Sequence, residues 1–229
     1  MTQFMAAFAI FVALHSIPAV PQVRGRLVSR VGHGTYIALY SLVSLLALAW
    51  LFYAAFNLDY VELWASAAWQ GHVTFAAAPL GLFLVLAGLV SRNPFSTTVR
   101  RGGGEPGAIV AVTRHPVLWG FILWSLGHMP PNGDLRSLLL FGGFALFSAG
   151  SMAMMEKRSR RKFGEAWQQA VKATSIIPFG AIAAGRASLR VDSGILLAFF
   201  AATASTAWLL WSGHGWLFGA DPLTFVSAF

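Results

Sequence analysis

Residues 73–90, VTFAAAPLGLFLVLAGLV, run without a charged side chain and decide the fold. A helix needs about 20 mostly apolar residues to cross a hydrocarbon core about 30 Å thick, and this stretch has that character. Working outward, similar runs fall at Phe4–Val20, Tyr36–Phe56, Pro116–Pro131, Leu138–Met155 and Ser193–Ser212. Of 229 residues, 57% are hydrophobic and 10% charged, where soluble domains have roughly 45–50% and about 25%. A soluble core this small cannot hide that much apolar surface. The sequence predicts an all-α fold: a polytopic membrane bundle of about six transmembrane helices forming one domain over residues 1–229.

No connection is long and soluble-like enough to fold alone, and no fixed-period repeat occurs. The first span lacks a basic n-region and a small-residue cleavage site and contains His15 and Pro18, so it reads as a helix of the mature protein. Cysteine is absent, which excludes disulfides, thiolate metal ligands and a cysteine nucleophile.

The net charge of +8 is sorted by loop. Arg24, Arg26 and Arg30 follow the first span; Arg92, Arg100, Arg101 and Arg114 lie between the third and fourth; eight basic residues run from Lys157 to Arg190. The alternate connections hold Asp59, Glu62 and, of the basic residues, only Arg136. The positive-inside rule turns the basic connections to the cytoplasm and both termini outward. Such sorting argues against a nucleic-acid partner and for membrane lipid, whose anionic head groups would meet the basic clusters. Glu156–Thr174 reads as a cytoplasmic amphipathic helix along the membrane surface, with Phe163, Trp167 and Val171 on one face. Trp64, Trp69 and Trp216 read as interfacial belt residues.

Histidines at different depths carry the candidate chemistry. His15 lies inside the first span and His128 most of the way through the fourth, where an unpartnered polar group is costly. Each is either a neutral imidazole bonded to a neighbouring helix or a metal ligand. Two such imidazoles in an apolar pocket describe six-coordinate haem b. His15 falls nearer the cytoplasmic side and His128 nearer the outer side, a gap of roughly 10 Å at about 1.5 Å per residue. No CxxCH is present for covalent haem attachment.

Arg114-His115-Pro116 starts the fourth span, with Pro116 at a position that needs no N–H. A guanidinium and an imidazole at a helix start suit an anionic group; the alternative for Arg114 is snorkelling to lipid phosphate. Glu156 either pairs with Arg160 one turn on or belongs to a site. Gly102-Gly103-Gly104 has neither a preceding strand nor a following GK[ST] and reads as a flexible turn. His33 in a Gly32–Gly34 loop and His214 in a Gly213–Gly215 loop, both outside the spans, are weaker candidates, and His72, opening the third span at the outer face, reads as interfacial.

Four stretches carry a family resemblance: Leu14-His15-Ser16; VRGRLVSRVGHGTYIALYSLVSLL at 23–46; TRHPVLWGFILWSLGH at 113–128; and EKRSRRKFGEAWQQAVKATSIIPF at 156–179. In this order they resemble the NnrU family of bacterial membrane proteins. That family is associated with denitrification and nitric oxide metabolism, which implies a bacterial inner membrane, where the termini that the charge places outside are periplasmic, and a protein partner in nitric oxide metabolism. The chain is also similar to the 15-cis-zeta-carotene isomerases, haem b enzymes whose redox state changes axial histidine ligation. This resemblance implies His15 and His128 as the iron ligands and a hydrophobic small-molecule substrate. Arg114, His115, Pro116, Glu156, Phe163, Gly164, Trp167 and Pro178 are similar to residues that hold S-adenosylmethionine and the substrate head in isoprenylcysteine carboxyl methyltransferase-like proteins. Those proteins usually have a tyrosine where this chain has Leu118, and often a glutamate at the position of Met155.

Three expectations follow. One is a haem b isomerase, with His15 and His128 on iron and Arg114 and His115 orienting haem propionates or the substrate. Another is an S-adenosylmethionine-dependent membrane methyltransferase, with Arg114, His115 and Glu156 as the candidate catalytic and cofactor residues. The third is an accessory factor in nitric oxide metabolism that turns nothing over.

Overall fold

The structure, a computed structural model, describes residues 1–17, 21–100 and 104–227. Its helices are α1 (Thr2–Ser16), α2 (Pro21–Val31), α3 (His33–Phe56), α4 (Ala68–Val90), α5 (Ile109–Val112), α6 (Pro116–His128), α7 (Leu135–Phe163), α8 (Trp167–Val171), α9 (Gly180–Ala183), α10 (Ser193–Trp208), α11 (His214–Phe218) and α12 (Pro222–Ser227). Among the described residues the only extended pairing of this kind is an isolated antiparallel bridge, Glu62 to Asp134. The all-α expectation therefore holds.

Among the described residues four stretches are long and apolar enough to cross a membrane: α3, α4, α7 continued through α8, and α10 continued through α11. Leu45 and Leu46 on α3 and Leu146 on α7 are 63%, 60% and 77% exposed. In water such faces would drive aggregation; against acyl chains, as apolar as leucine itself, they are ordinary surface. This is a membrane protein.

The other two expected spans correspond to shorter helices. α1 has 15 residues and α6 has 13, rises of about 22 Å and about 20 Å at about 1.5 Å per residue. α6 stops before Pro130 and Pro131: Met129 keeps helical dihedrals (φ −66°, ψ −46°), but the two prolines have no N–H with which to continue the hydrogen-bond ladder. Pro18 and the expected first-span end at Val20 lie outside the described residues, as do Arg101, Gly102 and Gly103.

The chain divides into two compact units, Met1–Leu63 with Asp134–Leu140, and Trp64–Gly133 with Phe141–Phe229. In the first, α1 and the basic helix α2 pack along α3. The start of α7 is fastened by Asp134, which accepts from Ser137 N at 3.0 Å and Ser137 Oγ at 2.7 Å, satisfying an orphan donor of the helix start. In the second unit, α4 packs against both α6 and α10. A Cβ on Gly120 would lie 2.5 Å from Gly81 O, and one on Gly81 would lie 2.7 Å from Gly120 O; small residues let helices in lipid approach until their backbones touch. Thr74 Oγ1 donates across this contact to Gly127 O at 2.7 Å.

The segment Glu156–Thr174 forms the end of α7, a 3-10 turn at Gly164–Ala166, and α8. No residue from Met155 to Phe163 breaks a helix, so α7 continues to Gly164, whose φ of 53° ends it. The face read from the periodicity is present, but it meets protein: Phe163 and Val171 pack on a buried cluster that holds Trp167, Leu84, Phe95, Ile109 and Ala198. Glycine neighbours also misled at two histidines, because His33 opens α3 and His214 opens α11. Trp69 and Trp216 are exposed as belt residues would be, whereas Trp64 donates through Nε1 to Pro130 O at 2.8 Å. The C-terminal segment packs back on α4, where a Cβ on Gly71 would meet Val226 Cγ2 at 2.5 Å.

Candidate functional site

After α5 the chain extends through Thr113 (φ −155°, ψ 146°) and turns into α6 at His115, with Pro116 in the first helical turn. The extended residues lie beside the loop that follows α8. Phe179 N donates to Val112 O at 2.7 Å, Arg114 N to Ser175 O at 2.7 Å, and Thr113 Oγ1 and Trp119 Nε1 both to Ile176 O at 2.8 Å. On the other side Asn93 Nδ2 donates to Arg114 O at 2.9 Å. Backbone that would otherwise be orphaned in a buried place is thereby satisfied, and the Arg114 and His115 side chains are fixed in direction.

Both side chains converge on Glu156 of α7. His115 Nε2 lies 2.9 Å from Glu156 Oε1, and Arg114 Nη1 lies 3.5 Å from Glu156 Oε2. Of the two readings of Glu156, it is the site partners that meet it, and no Arg160–Glu156 ion pair occurs among the described residues. His115 is fully buried, and Arg114 and Glu156 are 7% and 8% exposed. The Arg114 guanidinium lies 5.4 Å from the Trp167 ring centre and 5.9 Å from that of Phe95, inside the about 6 Å range of cation–π attraction. Arg160 lies 5.7 Å from the Trp167 ring centre.

Burial pushes the Arg114 guanidinium below its ordinary pKa, with Glu156 opposing and Arg160 and Arg186 adding to the fall. Burial likewise pushes the His115 imidazole down, against the pull of its bond to Glu156. With His115 neutral, Arg114 and Glu156 cancel, so the cluster carries no net charge. Two buried atoms, Arg114 Nε and His115 Nδ1, have no hydrogen-bond partner among the described residues. If Nε2–H donates to Glu156, Nδ1 is an acceptor. The cluster thus presents one unused donor and one unused acceptor.

His15 and His128 lie in different units, and their local geometry is alike. His15 Nδ1 bonds Phe11 O at 2.7 Å, and His128 Nδ1 bonds Trp124 O at 2.7 Å. Each imidazole is half-buried against the aromatic ring one turn back, at 4.3 Å for Phe11 and 4.8 Å for Trp124. Tyr40 lies 6.2 Å from His15, and Phe141 lies 5.2 Å from His128. In a neutral imidazole bonded through Nδ1–H, Nε2 holds the lone pair a metal takes. His72 makes the same bond to Ala68 O at 3.0 Å but is exposed, so depth separates it from the other two. No group of three or more His, Cys, Asp or Glu side chains able to hold a bare metal ion occurs among the described residues; haem, which needs only axial ligands from the protein, makes no such demand.

Asn93, Phe95 and the carbonyls of Ser175 and Ile176 complete the Arg114 surroundings, and sequence reasoning did not single them out. Asn93 also accepts from Phe95 N at 3.0 Å, a local turn that the Asn-Pro-Phe order at 93–95 signals. No sequence signal reveals that the turn sits beneath Arg114.

Comparison with known proteins gives two kinds of match. The chain is 31% identical over 84 residues to the chloroplastic 15-cis-zeta-carotene isomerase of Zea mays, covering 37% of this chain and 23% of that protein. It is 32% identical over 101 residues to the chloroplastic 15-cis-zeta-carotene isomerase of Arabidopsis thaliana, covering 43% of this chain and 28% of that protein. The match spans about a quarter of the length of these curated relatives. No solved structure matches the chain. The family model described as NnrU protein matches residues 3–222, and the chain belongs to the NnrU family.

Proposed function

We propose that this chain is a membrane isomerase acting on an extended hydrophobic substrate, with haem b held by His15 and His128. The observation that carries the reading is their shared geometry, in which a backbone carbonyl four residues back orients Nε2 as the lone-pair nitrogen. Similarity to the 15-cis-zeta-carotene isomerases supports the reaction class. Haem, when bound, supplies an iron whose preference for axial imidazole depends on its oxidation state. The chain's own residues orient the imidazoles, and the rings of Phe11, Tyr40, Trp124 and Phe141 keep them apolar in surroundings. The test is to incubate haem-loaded, reduced, detergent-purified protein with 15-cis-zeta-carotene and follow the isomers by chromatography. Wild type converts the 15-cis bond to trans, and His15→Ala and His128→Ala do not. No conversion by wild type would remove the isomerase reading.

A second reading is favoured by the charge balance at Arg114. A haem propionate there would bring a carboxylate to a buried cluster in which Glu156 already matches Arg114, with Arg160 and Arg186 as the further cations near it. A zwitterion brings no net charge, and the amino-acid end of S-adenosylmethionine is one. Its groups match the unused donor on Arg114 and the unused acceptor on His115. Calorimetry with S-adenosylmethionine tests it: binding by wild type that is lost in Glu156→Gln supports a methyltransferase, and no binding by wild type dismisses it. In both readings the protein sits in a bacterial cytoplasmic membrane with periplasmic termini. A reporter active only in the periplasm, fused after Lys162, is therefore silent.

A further inference from the structure

Ser91, at the end of α4, is 2% exposed, and its Oγ is buried with no hydrogen-bond partner among the described residues. It is wedged between Gly107 and Gly194, where a Cβ on either would come within 3.0 Å of Ser91 Oγ. Beside it opens a polar cavity of about 210 Å³ lined by Ser91, Arg92, Arg100, Glu105, Asp192 and Gly194. Asp192 is already engaged, since its Oδ2 accepts from Ala108 N at 2.8 Å and its Oδ1 from Ile195 N at 2.9 Å, capping α10. No ion pair joins Arg92 or Arg100 to Glu105 or Asp192 among the described residues. The cavity is therefore walled by two guanidiniums without an ion pair among the described residues, of which Arg100 acts at longer range on Asp192, by the Glu105 carboxylate, and by one hydroxyl with no partner among those residues. It lies where α4 ends and α10 begins, at the ends of two membrane-crossing stretches.

We propose that this cavity binds the phosphoethanolamine headgroup of a membrane lipid. The phosphate meets Arg92 and Arg100 and takes the Ser91 hydroxyl proton as a hydrogen bond, while Glu105 accepts from the ammonium. Charge-assisted bonds of this kind are the strong ones. The ends of two spans are also where lipid headgroups lie. Phosphatidylcholine shares the phosphate but its quaternary ammonium has no N–H, and phosphatidylglycerol has no cation, so Glu105 discriminates among the three. The site is independent of any haem or S-adenosylmethionine reading.

The experiment is native mass spectrometry of the full, delipidated chain in detergent with matched-chain phosphatidylethanolamine, phosphatidylcholine and phosphatidylglycerol. Wild type retains phosphatidylethanolamine about tenfold over phosphatidylcholine, the ratio given by roughly 1.4 kcal/mol. Glu105→Gln brings that ratio close to one, Arg92→Gln with Arg100→Gln lowers retention of all three lipids, and Ser91→Ala lowers it by a smaller factor. Glu105, Arg92 and Arg100 are exposed, and unchanged elution from a sizing column checks that these variants remain folded. Equal retention of phosphatidylethanolamine and phosphatidylcholine by wild type, or a preference that survives Glu105→Gln, would overturn the proposal. Binding of soluble phosphoethanolamine as tight as that of the lipid would overturn the assignment to lipid.

Discussion

α6 carries a histidine at each end, and the two are held in opposite ways. His115, at the N-terminal end, is fully buried and bonded to Glu156, 41 residues along the chain on α7. His128, the last residue, is bonded to a carbonyl four residues back in its own helix. The first contact exists only once α7 has docked, whereas the second forms with the helix itself. A tertiary, charge-balanced contact contributes to stability and breaks expensively. A local one sets a ring's orientation and depends little on the rest of the fold.

The largest expected effect comes from breaking the tertiary end. Glu156→Ala leaves the Arg114 guanidinium buried without its counter-ion, a change that costs about 3–5 kcal/mol, and a thermal melt in detergent reads it as a large fall in Tm. Gly120→Ala comes next, since its Cβ would lie 2.5 Å from Gly81 O and force α6 away from α4. Overpacking of this kind costs about 1–3 kcal/mol, again read as Tm. His128→Ala sits below both in its effect on Tm, because it removes no charged partner.

A smaller effect sharpens the contrast through pH. Burial holds the folded His115 pKa below its ordinary 6.5. As pH falls through 6.5 and toward the folded value, the unfolded chain gains a proton that the folded chain does not. This contribution is therefore fully present above the unfolded pKa and is lost on acidification. Between about pH 8 and about pH 5, wild-type Tm falls more steeply than that of His115→Gln, whose amide can still reach Glu156 without titrating. Parallel slopes would contradict the assignment.

Much of this contrast was legible in the sequence, and the reason differs by residue. Uncharged runs identify membrane helices because a bilayer demands length and hydropathy, so α3, α4, α7 and α10 were readable. The lengths of α1 and α6 were not, because hydropathy does not register where the helix stops: Met129 is apolar, yet the prolines after it end α6. Arg114 and His115 stood out as charge at a helix start. Local spacing proposes only the i+4 partner Arg160 for Glu156, since long-range convergence belongs to tertiary structure; only the resemblance to the methyltransferase-like proteins grouped Glu156 with Arg114 and His115. The stripe of Phe163, Trp167 and Val171 was likewise visible as periodicity, but periodicity does not say whether lipid or Phe95 covers it.

The proposed function gives the two ends of α6 different chemistry, with iron at His128 and His15 and not at His115. The direct measurement is the absorption spectrum of the detergent-purified protein from haem-replete cells, oxidised and reduced. Wild type and His115→Gln are predicted to show the paired bands of six-coordinate haem b, and His15→Ala and His128→Ala to lose or alter them. A haem-free wild type, or a spectrum unchanged by both the His15 and His128 substitutions, would contradict the account.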